Sequence, residues 1–307
     1  MSFLSALLII ISSLSQQSLT IDDLSAPEAI KISYEGDIIE EPISLGMIIK
    51  AKSALVLDNQ NNNIVFAKNP QEVSSIASLT KLMSNIIIWE SITENKEGKE
   101  LDTFLNKQCP LVKEEDKEAR KISIYPGESA KIKDLIEVNL IASVNNATQS
   151  LANLVEKDIL PEKKFVDLMN EKAKILKMTH TYFYEPTGLN PQNKSTAEDL
   201  AILTDYFFKI DNFKKISQMK SISFPIFNKT QTHYLYFKNT NELLDNFISV
   251  YGKTGYLEES GYCFAGKFEV NGNEYTIVLL GDPSSEERFQ DIKALTWWVE
   301  KNQKAKI

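Results

Sequence analysis

The chain has 307 residues and a mass near 34.8 kDa, room for one large domain or two ordinary ones. Its 43% hydrophobic and 25% charged residues are an ordinary globular mixture, which excludes wholesale disorder, a collagen-like chain and a polytopic membrane protein. With 34 basic against 42 acidic residues the net charge is −8, a poor basis for binding nucleic acid, which selects basic patches.

Residues 3–14 (FLSALLIIISSL) form an uncharged apolar run. It is too short for a spanning helix, which needs about 20 residues, but suits the core of an export signal. Ser13 and Ser15 offer small residues for a cleavage before Gln16. No Lys or Arg precedes the run, so an uncleaved anchor or a buried N-terminal helix is the alternative. The expectation is a signal peptide or anchor over 1–15 and an extracytoplasmic protein. Residues 16–46 read as an acidic, weakly ordered lead-in, because residues 1–46 hold seven acids and one lysine.

From residue 53 the pattern sharpens. Residues 53–69 are two apolar runs around an Asn-rich turn, a hairpin signal. Residues 78–92 repeat apolar positions at three and four, as a helix does. From 126 a Pro-Gly turn leads into an amphipathic helix reaching 157, and 162–178 is another. At 195–208 a Ser-Thr cap followed by acids starts a third. From Phe247 the chain reads as strands: 246–255, 261–270, a turn at Asn271-Gly272-Asn273, and 274–281. A last helix covers 285–301. Strands at both ends with helices between predict an α+β fold around an antiparallel sheet assembled from both termini.

The two cysteines, Cys109 and Cys263, are read as free thiols. With His180 and His233 they have no zinc-ligand spacing, and both histidines read as ordinary surface or strand residues. No metal and no cofactor is expected.

Three short motifs carry the chemistry. Ser78-Leu79-Thr80-Lys81 is S-x-x-K, and on a helix residues three apart share a face, so Lys81 reaches the Ser78 hydroxyl. A helix start also offers unpaired N–H groups whose field favours negative charge. Ser143-Val144-Asn145 is S-x-N within an apolar helical segment, and taken alone it could be a helix-terminal cap. Lys253-Thr254-Gly255 is K-T-G on a strand, where Gly255 allows close approach of a substrate backbone. A second S-x-x-K, Ser217 to Lys220, is read as chance.

In that order the three motifs resemble the signature of penicillin-binding proteins and serine β-lactamases. The wider sequence resembles the low-molecular-mass penicillin-binding D-alanyl-D-alanine carboxypeptidases from about residue 51 to 299. The blocks at 76–83 (IASLTKLM), 141–152 (IASVNNATQSLA), 165–189, 195–203 and 250–262 (VYGKTGYLEESGY) carry the likeness. The resemblance implies a β-lactamase/DD-peptidase-like fold: an antiparallel five-stranded sheet with helices on both faces and a helical subdomain, over residues 47–303. The chain stops soon after Val299, so neither a C-terminal β domain nor an anchor helix is expected, and membrane contact would come only through the N-terminus.

The same resemblance implies the roles. Ser78 is the acylated nucleophile and Lys81 the base that takes its proton. Ser143 relays protons and Asn145 hydrogen-bonds the substrate amide. Lys253 is the cation whose charge keeps Lys81 neutral. The N–H groups of Ser78 and Tyr256 form the oxyanion hole, beside Gly255. Thr254 and Arg288 hold the substrate's terminal carboxylate. The partners implied are peptidoglycan stem peptides ending in D-Ala-D-Ala, with β-lactams as covalent inhibitors. Three positions depart from the family: Leu257 for Thr, Asn146 for Asp and Lys177 for Gly.

The expected function is a serine D-alanyl-D-alanine carboxypeptidase. Alternatives are a D,D-endopeptidase using the same residues, a class A-like β-lactamase, and a catalytically silent cell-wall or β-lactam-binding protein. The β-lactamase reading rests on Glu185-Pro186 and Leu189-Asn190. Glu185 and Asn190 are five positions apart, one more than that class's deacylating loop needs.

Overall fold

The computed structural model describes residues 47–304 apart from 95, 114–119, 124, 126, 230 and 246–249. The expectations for residues 1–15 and 16–46 lie outside the described residues.

The first hairpin is β1 (Ser53–Asp58) and β2 (Asn63–Lys68), with Asn62 at φ 55 in its turn. Then come β3 (Ser74–Ser75), a tight helical turn over Ala77–Leu79, α1 (Thr80–Thr93), α2 (Gly98–Leu105), β4 (Gln108–Pro110) and β5 (Ser129–Lys131). The middle holds α3 (Ile132–Ala142), α4 (Asn145–Leu154), α5 (Phe165–Ile175), β6 (Lys194–Ser195), α6 (Ala197–Phe208) and α7 (Asp211–Ser217). The chain continues through β7 (Ser221–Phe227), β8 (Thr232–Lys238), β9 (Tyr251–Leu257), β10 (Gly261–Val270) and β11 (Asn273–Asp282), and α8 (Ser285–Lys304) follows.

The main sheet has the order β2-β1-β11-β10-β9 and is antiparallel at every pairing. Ser53 lies opposite Leu280 and Asp58 opposite Tyr275, so the first strand pairs with the last. Both faces are covered, because alternate residues of a strand point to opposite sides. Leu55, Leu57, Val278 and Leu280 join the cluster under α1, α3 and α6. Ala54, Val56, Ile277 and Leu279 join the cluster with Ile292, Leu295 and Trp298 of α8. Every residue of β1 is buried, as a central strand between two helical layers requires. The α+β class and the five-stranded sheet built from both ends are therefore as the sequence implied. Among the described residues, no helix is long and apolar enough to cross a membrane.

Two expectations are corrected. The helix read from 126 to 157 is broken: Ser143 takes a left-handed φ of 60 at the end of α3, and α4 starts at Asn145. It also closes on a wider π-helical turn, Val155–Ile159. Helices alone do not fill the middle either. The hairpin β7–β8 joins β4 and β5 in a second sheet of order β4-β5-β7-β8. Each of its strands alternates inward and outward residues over seven positions, a pattern of period two that a search for helical periodicity passes over. His233 sits in β8 and both cysteines are free and buried, in line with their sequence readings.

Candidate active site

Ser78 sits in the turn that opens α1, and three separate elements close around it. Ala77, just before it, has φ 45, a region that non-glycine residues rarely occupy and that clusters at functional sites. A β-carbon on Gly255 of β9 would lie 3.3 Å from the Ser78 amide nitrogen and 3.2 Å from the Ile76 carbonyl. Gly255 thus lets the K-T-G strand lie directly against the Ser78 turn. The close approach it permits is that of the protein's own backbone, an addition to the expectation of a substrate backbone.

Lys81, in the first turn of α1, is fully buried. Its Nζ lies 3.0 Å from Ser78 Oγ. It donates to Asn145 Oδ1 at 2.6 Å and to the Thr187 carbonyl. Asn145 begins α4 because the break at Ser143 turns the chain there, and its N–H donates to the Arg120 carbonyl at 2.8 Å. Ser143 is nine-tenths buried, and its hydroxyl has no hydrogen-bond partner among the described residues.

Lys253 is 2% exposed, and its Nζ donates to the Thr254 carbonyl at 2.9 Å. Burial holds its pKa well below the ordinary lysine value, and the positive charges of Lys81, Arg120 and Arg288 push it further down. The two lysine charges do oppose one another, and this lowers the Lys253 pKa after burial has done so. Thr254 donates its hydroxyl proton to Thr240 Oγ1 at 2.7 Å.

Arg288 reaches the same place from α8. Nη1 donates to the carbonyls of Gly255 and Cys263 at 3.3 Å, and Nη2 to Ser285 Oγ at 2.9 Å. Its guanidinium lies over the rings of Phe289 and Tyr262. One of these bonds, to the Gly255 carbonyl, ties the K-T-G strand to α8. Tyr256, half exposed, packs on Tyr262 at 4.3 Å.

A cleft of about 1120 Å3 is lined by Ser78, Ser143, Asn145, Thr254, Gly255, Tyr256 and Arg288 together with residues of β8 and the 188–189 loop. Lys81 and Lys253 are buried behind it. All nine residues singled out in the sequence are thus brought to one place.

The segment 40–284 matches the family model described as D-alanyl-D-alanine carboxypeptidase. That span is most of the chain. The chain belongs to the Peptidase_S11 family. Two similar relatives of this S11 peptidase are D-alanyl-D-alanine endopeptidases. One, from Escherichia coli, is 29% identical over 90% of this chain and 84% of its own length. The other, from Pseudomonas aeruginosa, is 30% identical over 82% and 77%. Among solved structures, penicillin-binding protein D2 of Listeria monocytogenes in its cefotaxime-bound form superposes with a TM-score of 0.68 at 26% identity. That match covers 81% of this chain and 97% of the other. The S11 peptidase is therefore a serine-type hydrolase on the penicillin-binding-protein fold.

Sequence reasoning weighed the 185–190 loop only for the β-lactamase alternative and missed that it completes the lysine's surroundings in this S11 peptidase. Glu185 accepts hydrogen bonds from Thr187 N at 2.6 Å, Thr187 Oγ1 at 2.5 Å, Gly188 N at 2.6 Å and Asn193 Nδ2 at 2.9 Å. Asn193 donates onward to Thr80 Oγ1 at 3.1 Å, and Ser84 donates to the Pro186 carbonyl at 2.6 Å. The loop is thereby fastened to α1 and presents the Thr187 carbonyl to Lys81. Gly188, at φ 87, lies where a β-carbon would meet the Ala77 carbonyl at 2.1 Å. The Pro-Thr-Gly run was the available signal. Arg120, whose carbonyl receives Asn145 and whose Nη1 donates to the Ala142 carbonyl at 3.2 Å, was also missed.

Of the three departures, the side chain of Asn146 has a local explanation, and those of Lys177 and Leu257 have none. Asn146 is buried, accepts from Ile122 N at 3.0 Å and donates to the carbonyls of Ile122 and Val112. Lys177 takes the left-handed φ of 60 that a glycine would favour. Leu257 N donates to Ser260 Oγ at 2.9 Å in the β9–β10 turn.

Proposed function

We propose that this chain removes the terminal D-alanine from peptidoglycan stem peptides through an acyl-enzyme on Ser78, and that penicillins acylate the same hydroxyl. The observation that carries the reading is the set of partners around Lys81. A neutral lysine amine has two N–H bonds and one lone pair. With Lys81 as the free amine, the carbonyl oxygens of Asn145 and Thr187 take its N–H bonds, and its nitrogen faces the Ser78 hydroxyl 3.0 Å away as the acceptor of that proton. Lys81 then takes the proton as Ser78 Oγ attacks the penultimate carbonyl.

The oxyanion is received by the N–H groups of Ser78 and Tyr256, and the close packing at Gly255, next to Tyr256, against the Ser78 turn supports this assignment. Collapse breaks the amide bond, and the leaving D-alanine amine takes a proton relayed through the Ser143 hydroxyl. Water then hydrolyses the ester on Ser78. Asn145 donates to the substrate amide through Nδ2, since its Oδ1 is engaged by Lys81. Thr254 and Arg288 hold the terminal carboxylate. The Glu185 carboxylate is engaged by donors of its own loop, which speaks against a deacylating role and against the β-lactamase reading.

A second reading is D,D-endopeptidase activity on crosslinks, favoured by the two bacterial relatives that carry that name. Either activity places the chain outside the cytoplasm. Residues 47–303 serve as the catalytic domain, 1–15 as export signal or anchor, and 16–46 as a lead-in.

The test uses purified protein with a pentapeptide ending in D-Ala-D-Ala and with crosslinked muropeptides, and the products are identified by mass. Loss of one alanine supports the carboxypeptidase, and monomeric products from crosslinks support the endopeptidase. A labelled penicillin is expected on Ser78 and absent from Ser78→Ala. Label on Ser217, or no turnover of either substrate, would sink the proposal.

A further inference from the structure

β7 and β8 turn one face to the core and the other to solvent. Phe224 and Ile226 are buried in the larger cluster, with Leu235 packed against it. On the opposite face Tyr234 and Tyr236 are 71% and 60% exposed. They stand across the ladder from Pro225 and Ser223, and Lys238 continues the row. Tyr236 and Lys238 also line the active-site cleft, whereas Tyr234 lies beyond it. The row therefore leads out of the cleft along β8, with same-face side chains about 6.8 Å apart.

Neither tyrosine has a hydrogen-bond, ring or cation partner among the described residues. Two exposed rings in register, without a role in packing, mark an interaction surface more than a fold requirement. The chemistry around them is specific. The face offers flat aromatic rings, hydroxyl groups and a proline ring, with no acidic side chain on these two strands. A protein partner would seek a pocket for a buried anchor, and an anionic membrane a cluster of lysines and arginines. A sugar polymer needs what is present: rings that accept the C–H faces of successive sugars, and hydroxyls that pair with theirs.

We infer that the outer face of β8 binds the glycan strand that carries the stem peptide, with Tyr234 and Tyr236 as stacking platforms. This rests on the peptidase reading, because a glycan strand is brought to the cleft only by the peptide attached to it. The surface orients the polymer so that its stem peptide enters over Tyr236 toward Ser78.

The experiment measures binding of the full chain to peptide-free glycan strands, and D-alanine release from both soluble pentapeptide and intact sacculi. Wild type is expected to bind the strands. Tyr234→Ala is expected to weaken that binding and to slow release from sacculi by about three- to tenfold, the effect of one aromatic platform. Its hydrolysis of soluble pentapeptide stays unchanged, and Tyr234→Trp restores strand binding. Equal strand affinity of wild type and Tyr234→Ala overturns the inference. An equal loss on soluble pentapeptide also overturns it, since Tyr234 would then serve the fold or the cleft. So does binding to anionic vesicles in place of glycan. Strand binding needs no turnover. Tyr234-dependent binding by a chain that cleaves neither peptide substrate would sink the proposed function alone.

Discussion

Lys253 shows how a side chain can be set against the stability of the fold. It is buried at 2% exposure, and among the described residues its ammonium meets one carbonyl and no carboxylate. Its pKa is held low by burial first and by Lys81, Arg120 and Arg288 after that. A lysine with a lowered folded pKa opposes folding at every pH below its unfolded value near 10.5, and most strongly below the folded pKa. Replacing it with an apolar residue of similar length should therefore stabilise the protein while removing activity. Lys253→Met is expected to raise stability by about 1–4 kcal/mol, with a Tm increase of about 2–4 °C per kcal/mol, alongside loss of penicillin acylation. A fall in Tm would mean that the lysine supports the fold.

Arg288 is argued at the same scale. A charge-assisted bond to a terminal carboxylate contributes about 1.5–3 kcal/mol, or about 10- to 150-fold in kcat/KM. Arg288→Ala should slow D-Ala-D-Ala cleavage by that factor and leave a thioester without the carboxylate little changed. Equal loss on both substrates would show that its bonds to Gly255 and Cys263 are its main contribution.

At the scale of elements, the 185–193 loop decides where Lys81 points. Glu185 takes charge-assisted bonds from backbone N–H groups of its own loop, and Asn193 and Ser84 fasten that loop to α1. Glu185→Gln keeps the shape and weakens the anchoring. The expected result is lower kcat for the peptide with acylation and deacylation falling together, read by stopped-flow with a chromogenic penicillin. Selective trapping of the acyl-enzyme would instead make Glu185 the deacylating base and restore the β-lactamase alternative. Ser143 belongs to this scale as well. Its left-handed φ ends α3 and lets Asn145 begin α4 beside Lys81, so Ser143→Gly should keep the break while removing only the hydroxyl.

Across the whole molecule, a charge network joins five elements. Lys267 on β10 contacts Asp205 of α6 at 3.0 Å and Glu274 of β11 at 2.5 Å. Lys214 of α7 and Tyr251 of β9 also donate to Glu274. Burial pushes the Glu274 carboxyl up, but the bonds from Lys267, Tyr251 and Lys214 outweigh it and bring its pKa to about 2. A depressed folded pKa gives stability that is complete above the unfolded value of 4.5 and lost as pH falls toward 2. The melting temperature is expected to fall through that window, and Glu274→Gln to flatten the dependence. An unchanged slope in the variant would transfer the acid sensitivity to other carboxylates.

The sequence by itself determined the sheet and the three motif blocks. The apolar runs on either side of the turns in 53–69 and 261–281 point to strands at both ends of the chain, and S-x-x-K, S-x-N and K-T-G are local enough to be read without a fold. It did not determine how those blocks meet. A helical period runs through Ser143 as though the helix continued, because a single left-handed residue leaves no hydrophobic signature. The strand pair β7–β8 carries only short alternation, and its pairing with β5 depends on residues about 100 positions away. The Thr187 carbonyl beside Lys81, the Gly255 contact with the Ser78 turn and the lowered pKa of Lys253 are through-space facts. They arise from burial and from chain segments brought together by packing, and only the tertiary structure decides them.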